Sequence, residues 1–280
     1  MKSLFIKPSI GCNKKNIYKY LTYKKKPKSE IDFGFSDKGY LRFYYKCKIC
    51  GHLIAKHKKS FFENLYSDLY FKSTYGNPKF LNQTFNRIRA LPKKKSDNKQ
   101  RIIRIKKFLA KQIIAKKIQI LDIGSGTGIF PISIHNNKFK LTSIEPNKDC
   151  VKFILKKSNR KIKAISANFL KISSKDLTKY HLITFNKVLE HVEKPKLFLK
   201  KAIKFLKKKG IIYIEVPDVN AIYDKKEGKN REEFALGHHH VFSEKSLYNL
   251  FVSCNMRVVK IESIRDPSGK YTLYGFGLVC

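Results

Sequence analysis

The segment running from Ile118 to Phe130, Ile-Gln-Ile-Leu-Asp-Ile-Gly-Ser-Gly-Thr-Gly-Ile-Phe, constrains this chain more than any other. Ile118, Ile120, Leu121 and Ile123 read as a buried strand, and Gly124, Gly126 and Gly128 follow at alternate positions before a helix-like run. Glycines at such a junction let the backbone turn with positive φ and approach a ligand closely. The spacing is selective, because a dinucleotide fingerprint, Gly-x-Gly-x-x-Gly, needs glycine at 129, where Ile129 stands. Further on, a second short apolar strand ends on Glu145, in Leu141-Thr-Ser-Ile-Glu145-Pro146-Asn147. A carboxylate placed there can accept hydrogen bonds from both hydroxyls of a ribose. Alone, Glu145 is an ordinary surface acid; with the glycines it becomes half of a nucleoside site.

The rest of the chain falls into three zones: 1–60, rich in lysine and tyrosine and read as short strands and loops; 61–112, with helical spacing; and 113–280. Leu65, Leu69 and Phe71 share one helix face, Asn77-Pro78 opens a second helix, and Ser96 caps a third. From Ile118 onward strand and helix patterns alternate, the mark of a parallel sheet. Strands are expected at 118–123, 141–145, 161–166, 181–186 and 210–216, with a helix over Lys196 to Lys208 closed by Gly210. Met256 to Ile264 and Lys270 to Val279 flank Asp266-Pro-Ser-Gly269 and read as a hairpin.

These motifs together resemble class I S-adenosylmethionine (SAM) dependent methyltransferases, whose sheet carries the same element order and an antiparallel last strand. The resemblance implies an α/β, Rossmann-like class I methyltransferase sheet, parallel but for its terminal hairpin strand, with a small N-terminal α+β cap. It implies that Asp122, Gly124, Ser125, Gly126 and Gly128 surround the methionine end of SAM, and that Glu145 and Pro146 meet the ribose. Asn168 and Phe169 then lie near the adenine, with asparagine where the family usually has an acid, and Asn186 closes the cofactor site. Val188-Leu-Glu190-His191-Val192 looks like the segment that small-molecule methyltransferases carry after the fourth strand. Asn186-Lys187-Val188-Leu189 lacks the Asn/Asp-Pro-Pro-Tyr clamp that family members acting on planar amino groups share. Sugar, lipid or other small-molecule hydroxyls, or a carbon acid, stay open; the resemblance favours a sugar or nucleotide-sugar hydroxyl, or a ring carbon, as the acceptor.

By the same resemblance His238 holds the place of a base over the SAM methyl, with His191 as its competitor and His240 or Glu190 orienting substrate. Arg231, Glu232 and Glu233 are expected to hold the polar substrate from the same loop. Upstream, Cys47-Lys-Ile-Cys50-Gly-His52 resembles half of a zinc knuckle found in some sugar methyltransferases. Structural zinc takes four ligands, so Cys12, Cys47 and Cys50 would need His52 or His57 to complete the set.

Composition narrows the partners. The formal charge of +40 invites a nucleic-acid reading. Against it, the excess is almost all lysine, spread along the chain in short runs such as Lys24 to Lys26 and Lys207 to Lys209. Arginine, the residue suited to bidentate phosphate and base contacts, is scarce. A solvated lysine surface is the simpler reading, with an RNA or protein methyltransferase, or an inactive SAM-fold binding module, as the alternatives. No apolar run approaches the ~20 residues that span a bilayer, the first residues lack the apolar core of a signal peptide, and six scattered cysteines do not form a secreted disulfide pattern. A cytosolic enzyme with a small-molecule substrate is the expectation.

Overall fold

The computed structural model describes residues 10, 12, 14–27, 30, 40–57 and 78–279; the helix expected around Leu65, Leu69 and Phe71 lies outside them. Three antiparallel strands come first, β1 (Ile17–Tyr23), β2 (Arg42–Cys47) and β3 (Leu53–His57). Helices α1 (Pro78–Ala90) and α2 (Asp97–Gln112) follow, and the Ser96 side chain accepts from Lys99 N (3.2 Å) to cap α2 as expected.

The alternating region then runs β4 (Ile118–Ile123), α3 (Ile129–Ile134), β5 (Phe139–Glu145), α4 (Lys148–Lys157), β6 (Lys163–Ser166), β7 (Tyr180–Asn186), α5 (Pro195–Ile203) and β8 (Leu206–Pro217). The chain closes with β9 (His240–Val241), α6 (Glu244–Val252), β10 (Met256–Arg265) and β11 (Tyr271–Val279). Seven strands form one sheet in the order β10-β11-β8-β7-β4-β5-β6. β4, β5, β6, β7 and β8 run parallel, and β11 lies antiparallel to both β8 and β10. Strand order reverses between β4 and β7, so the carboxyl ends of β4, β5 and β7 open on one crevice, where open α/β sheets bind ligands.

Alternation along each strand divides the core. Leu121, Ile123, Ile183, Phe185, Ile212 and Ile214 face one layer, while Ile118, Ile120, Leu182, Ile211 and Tyr213 face the other. One sequence expectation is corrected. The helix ends at Ile203, and Leu206 to Lys209 belong to the start of β8. Phe205 and Leu206 fit a helical stripe, but the edge of β7 needs partners, and Tyr180 N donates to Phe205 O (2.8 Å) while Tyr180 pairs with Leu206. Lys209 then takes positive φ (57°) beside Gly210, which is a kink inside the strand and not a helix cap.

A second sheet, β1-β2-β3-β9, crosses the expected zone boundary. Ile54 pairs with His240 and Leu53 with Val241, so the N-terminal strands take their fourth member from the loop that follows β8. Tyr23, Tyr44, Leu53 and Ala55 pack there against Val219, Ala221, Phe234 and Val241. Arg42, fully buried, donates to Phe234 O (2.8 Å), pairs with Glu30 (3.1 Å) and lies over the Tyr23 ring (4.2 Å).

Candidate functional site

The glycine loop is built for close approach. Gly124, Gly126 and Gly128 all have positive φ (71°, 52° and 73°), a region that suits glycine and strains side-chain-bearing residues. A Cβ on Gly124 would lie 2.7 Å from Val188 at the tip of β7, and one on Gly128 would collide with Ile154. Gly124→Val should therefore lower stability by ~1–3 kcal/mol through backbone strain alone, read as a lower urea midpoint with unchanged slope. Ser125 braces the turn by donating from Oγ to Asp122 O (3.1 Å).

Asp122 is 1% exposed, and its Oδ1 accepts from Thr184 Oγ1 (2.7 Å) and Asn186 Nδ2 (2.8 Å). Burial lifts its pKa to about 6 against the pull of those hydrogen bonds. Glu145 closes the loop from the next strand, its Oε2 accepting from Gly126 N (2.9 Å) and its Oε1 from Asn147 N (3.1 Å). Each oxygen keeps acceptor capacity for a hydroxyl. Burial raises its pKa, opposed by those two amides. Pro146 follows at the rim, its carbonyl accepting from Ser166 Oγ (3.3 Å).

At the tip of β7 three groups converge. Glu190 Oε2 is buried without a hydrogen-bond partner, and its carboxyl lies within 4.8 Å of ligand nitrogens of His191 and His238, which also lie that close to each other. His191 Nδ1 is 2.9 Å from Gly237 O, and His238 Nδ1 is 2.9 Å from Glu233 O. Carbonyls only accept, so both Nδ1 atoms carry the proton in the neutral rings. Burial pulls His191 down to about 4 and His238 well below its usual value, keeping both neutral near pH 7.

The matching family model is that of a methyltransferase domain, over residues 94–261. The chain belongs to this methyltransferase-domain family. The ubiquinone biosynthesis O-methyltransferase of Pelagibacter ubique (strain HTCC1062) is 32% identical over 121 residues, 41% of this chain and 49% of that protein, so the chain spans about half the length of the curated relative it matches. Among solved structures, magnesium protoporphyrin IX methyltransferase from Synechocystis PCC 6803 with bound S-adenosylhomocysteine superposes with a TM-score of 0.57 at 12% identity, covering 75% of this chain and 97% of that one. A SAM-dependent methyltransferase from Aquifex aeolicus gives 0.52 at 17% identity, covering 73% and 99%. At such identities the likeness is one of fold, and that fold is the class I methyltransferase sheet.

The residues at the crevice fit the cofactor such enzymes use. Asn186 Oδ1 is a buried acceptor with no partner, the kind of atom a ligand amino group satisfies, and the glycine loop and Glu145 offer a bare backbone and a hydroxyl acceptor. Two residues expected near the adenine behave differently. Asn168 is exposed and its side-chain oxygen accepts from Leu170 N (2.9 Å), capping a short 3-10 turn with one of its two lone pairs. The Phe169 ring, 3% exposed, packs among Phe185, Phe198 and Phe205, so it belongs to the core of the methyltransferase sheet and not to an adenine wall.

Several expected roles are corrected by hydrogen bonding. His240, 2% exposed, donates from Nε2 to Glu193 O (3.3 Å), which makes its Nδ1 the acceptor for His52 Nε2–H (3.0 Å); His52 Nδ1 then faces the Ser246 hydroxyl (3.2 Å). With both nitrogens of both rings engaged, His240 has none for a substrate and His52 none for a metal. Cys12, Cys47 and Cys50 do meet, their sulfurs within 4.8 Å of one another, with Cys12 and Cys50 in contact at 3.4 Å. Three thiols suit a soft ion such as zinc in three of its four positions; the side chain of His57 lies outside the described residues.

Arg231 and Glu233 brace the loop instead of lining it. Arg231 bonds Glu233 (3.0 Å), Glu227 (3.2 Å) and Gly269 O (2.8 Å), while Glu233, 3% exposed, accepts from Tyr271 N (2.7 Å). Glu232 pairs with Lys270 (3.0 Å) at the surface. Sequence reasoning missed a buried cluster on β8: Glu215, fully buried, takes Arg101 (2.9 Å), Arg104 (2.9 Å) and Tyr213 (2.6 Å). Two arginines three residues apart on a helix, flanked by Ile102 and Ile105, were the available signal.

Proposed function

We propose that the protein transfers the methyl group of SAM to a hydroxyl oxygen of a small polar molecule, with a sugar or nucleotide-sugar hydroxyl as the acceptor class. The observation that carries the methyl-transfer reading is Glu145 held across the glycine loop by Gly126 N (2.9 Å), which sets a ribose acceptor beside a bare backbone. Oxygen as the target is supported by the O-methyltransferase named among the relatives; the sugar class is supported by the three-cysteine segment upstream. SAM supplies an electrophilic methyl on a sulfonium, so the chain itself must bind, orient and activate the acceptor. Asp122, Gly124, Gly126, Glu145 and Asn186 are assigned to holding the cofactor. Glu190, His191 and His238 are assigned to the acceptor oxygen, since they present buried, neutral or unpartnered groups at the tip of β7.

Calorimetry on the full chain tests this. Micromolar SAM binding is expected, ~−8 kcal/mol, and Glu145→Ala should weaken it by ~1.5–3 kcal/mol through loss of a charged acceptor. No heat with SAM or S-adenosylhomocysteine on folded protein would refute the reading. A panel of nucleotide-sugar and phenolic acceptors with labelled SAM then separates the substrate classes.

A further inference from the structure

We propose that Glu190, His191 and His238 form a divalent transition-metal site, and that the bound ion receives the acceptor oxygen. The inference rests on the methyl-transfer reading for the acceptor, but the site itself rests on geometry alone. The carboxylate oxygen and the two imidazole nitrogens lie within 4.8 Å of one another. Around an ion ~2.1 Å from each ligand, neighbouring donor atoms sit about 3–3.5 Å apart, so small side-chain rotations close the shell.

Two further observations point to a ligand. Glu190 is 1% exposed and its Oε2 has no hydrogen-bond partner, a state that leaves a buried polar atom unsatisfied. Both histidines donate Nδ1–H to backbone carbonyls, Gly237 O and Glu233 O, the outer hydrogen bonds that fix tautomer and ring orientation in metal-bound imidazoles. Nε2 is then the coordinating atom on each ring.

The two segments are also locked together. His239 N donates to Glu190 O (2.7 Å), and Tyr44 Oη donates to His238 O (3.2 Å). Lys187, a cation near this cluster, directs its ammonium to Thr272 Oγ1 (2.6 Å) and Val216 O (3.4 Å). Two imidazoles and one carboxylate suit a divalent first-row ion, from the harder Mn²⁺ to the borderline Fe²⁺, Co²⁺ or Zn²⁺, and three protein ligands leave coordination positions open. An acceptor with two adjacent oxygens, a vicinal diol of a sugar or a catechol, is the chemistry that fills them.

Mn²⁺ is the probe, because it disfavours the thiol cluster at Cys12, Cys47 and Cys50. Chelator-treated full chain should bind one equivalent of Mn²⁺, read as loss of the free-ion electron paramagnetic resonance signal. Glu190→Gln and His238→Ala, each checked for folding by circular dichroism, should both weaken binding roughly tenfold or more. Wild-type protein that binds SAM yet takes up no Mn²⁺ would overturn the site while leaving the methyl-transfer reading intact. Equal Mn²⁺ binding by wild type and both variants would overturn it as well. Loss of SAM binding with Mn²⁺ still bound would remove the acceptor role and retain the metal site.

Discussion

His238→Ala lowers kcat by ~10²–10⁴, the range lost with a group that activates the acceptor, and leaves the Kd for SAM nearly unchanged. The separation follows from position. His238 is held by Glu233 O and by its ring contact with His191 (centroids 4.8 Å apart), on a loop that follows β8. The groups assigned to SAM sit instead at the ends of β4, β5 and β7. Steady-state rates with calorimetric Kd values on the same preparation check both halves. A kcat within twofold of wild type, or a parallel loss of SAM affinity, would remove His238 from the acceptor site. His191→Ala offers the contrast, because its imidazole is anchored at the β7 tip by Gly237 O. Abolished turnover in that variant alone would move activation entirely to His191.

Glu215→Gln lowers stability by ~3–5 kcal/mol, the scale at which breaking a buried ion pair leaves an uncompensated charge. The variant keeps the shape of the side chain but leaves Arg101 and Arg104 facing a neutral amide beside Tyr213. Burial alone would disfavour the Glu215 carboxylate; the two guanidiniums outweigh it and hold the pKa well below the usual glutamate value of 4.5. A lowered folded-state pKa means the unfolded chain takes up protons first as pH falls. This part of the stability is thus complete above pH 4.5 and declines below it. Urea midpoints from pH 7 to pH 3 should show a steep acid limb in wild type and a shallower one in Glu215→Gln. Matching acid limbs would mean that other carboxylates govern acid unfolding.

The sheet was legible because its signals are local and redundant. Ile118, Ile120, Leu121 and Ile123 carry the strand, Gly124 and Gly128 mark backbone that side chains would strain, and Ser96 caps the helix it precedes. The Glu145 reading used a spacing that the fold converts into a hydrogen bond to Gly126 N. What failed was long-range. Phe205 and Leu206 satisfy a helical stripe and a strand equally, and only pairing with β7 decides between them. Arg231 and Glu233 looked like substrate contacts because polar residues on a loop suggest recognition, yet their partners are Asp224, Glu227 and Tyr271. His52 sits two residues from Cys50 in the sequence, but its ring meets His240, 188 residues away. No periodicity encodes such a contact, because it exists only after β3 and β9 have paired.

That pairing separates where the loop after β8 is seated from what its side chains are. β9 joins β3 through main-chain atoms, Ala55 N donating to His239 O (2.8 Å) beside the Leu53–Val241 and Ile54–His240 partners. Backbone hydrogen bonds are indifferent to side-chain identity. The exposed positions Lys225, Lys226 and Lys229 can therefore be substituted, while Arg231, Glu233 and the buried Phe234 hold the loop's shape and the two-residue seam keeps it in register. The N-terminal strands thus act as a jig: they seat the loop after β8 through main-chain bonds that are separate from those shaping the glycine turn after β4.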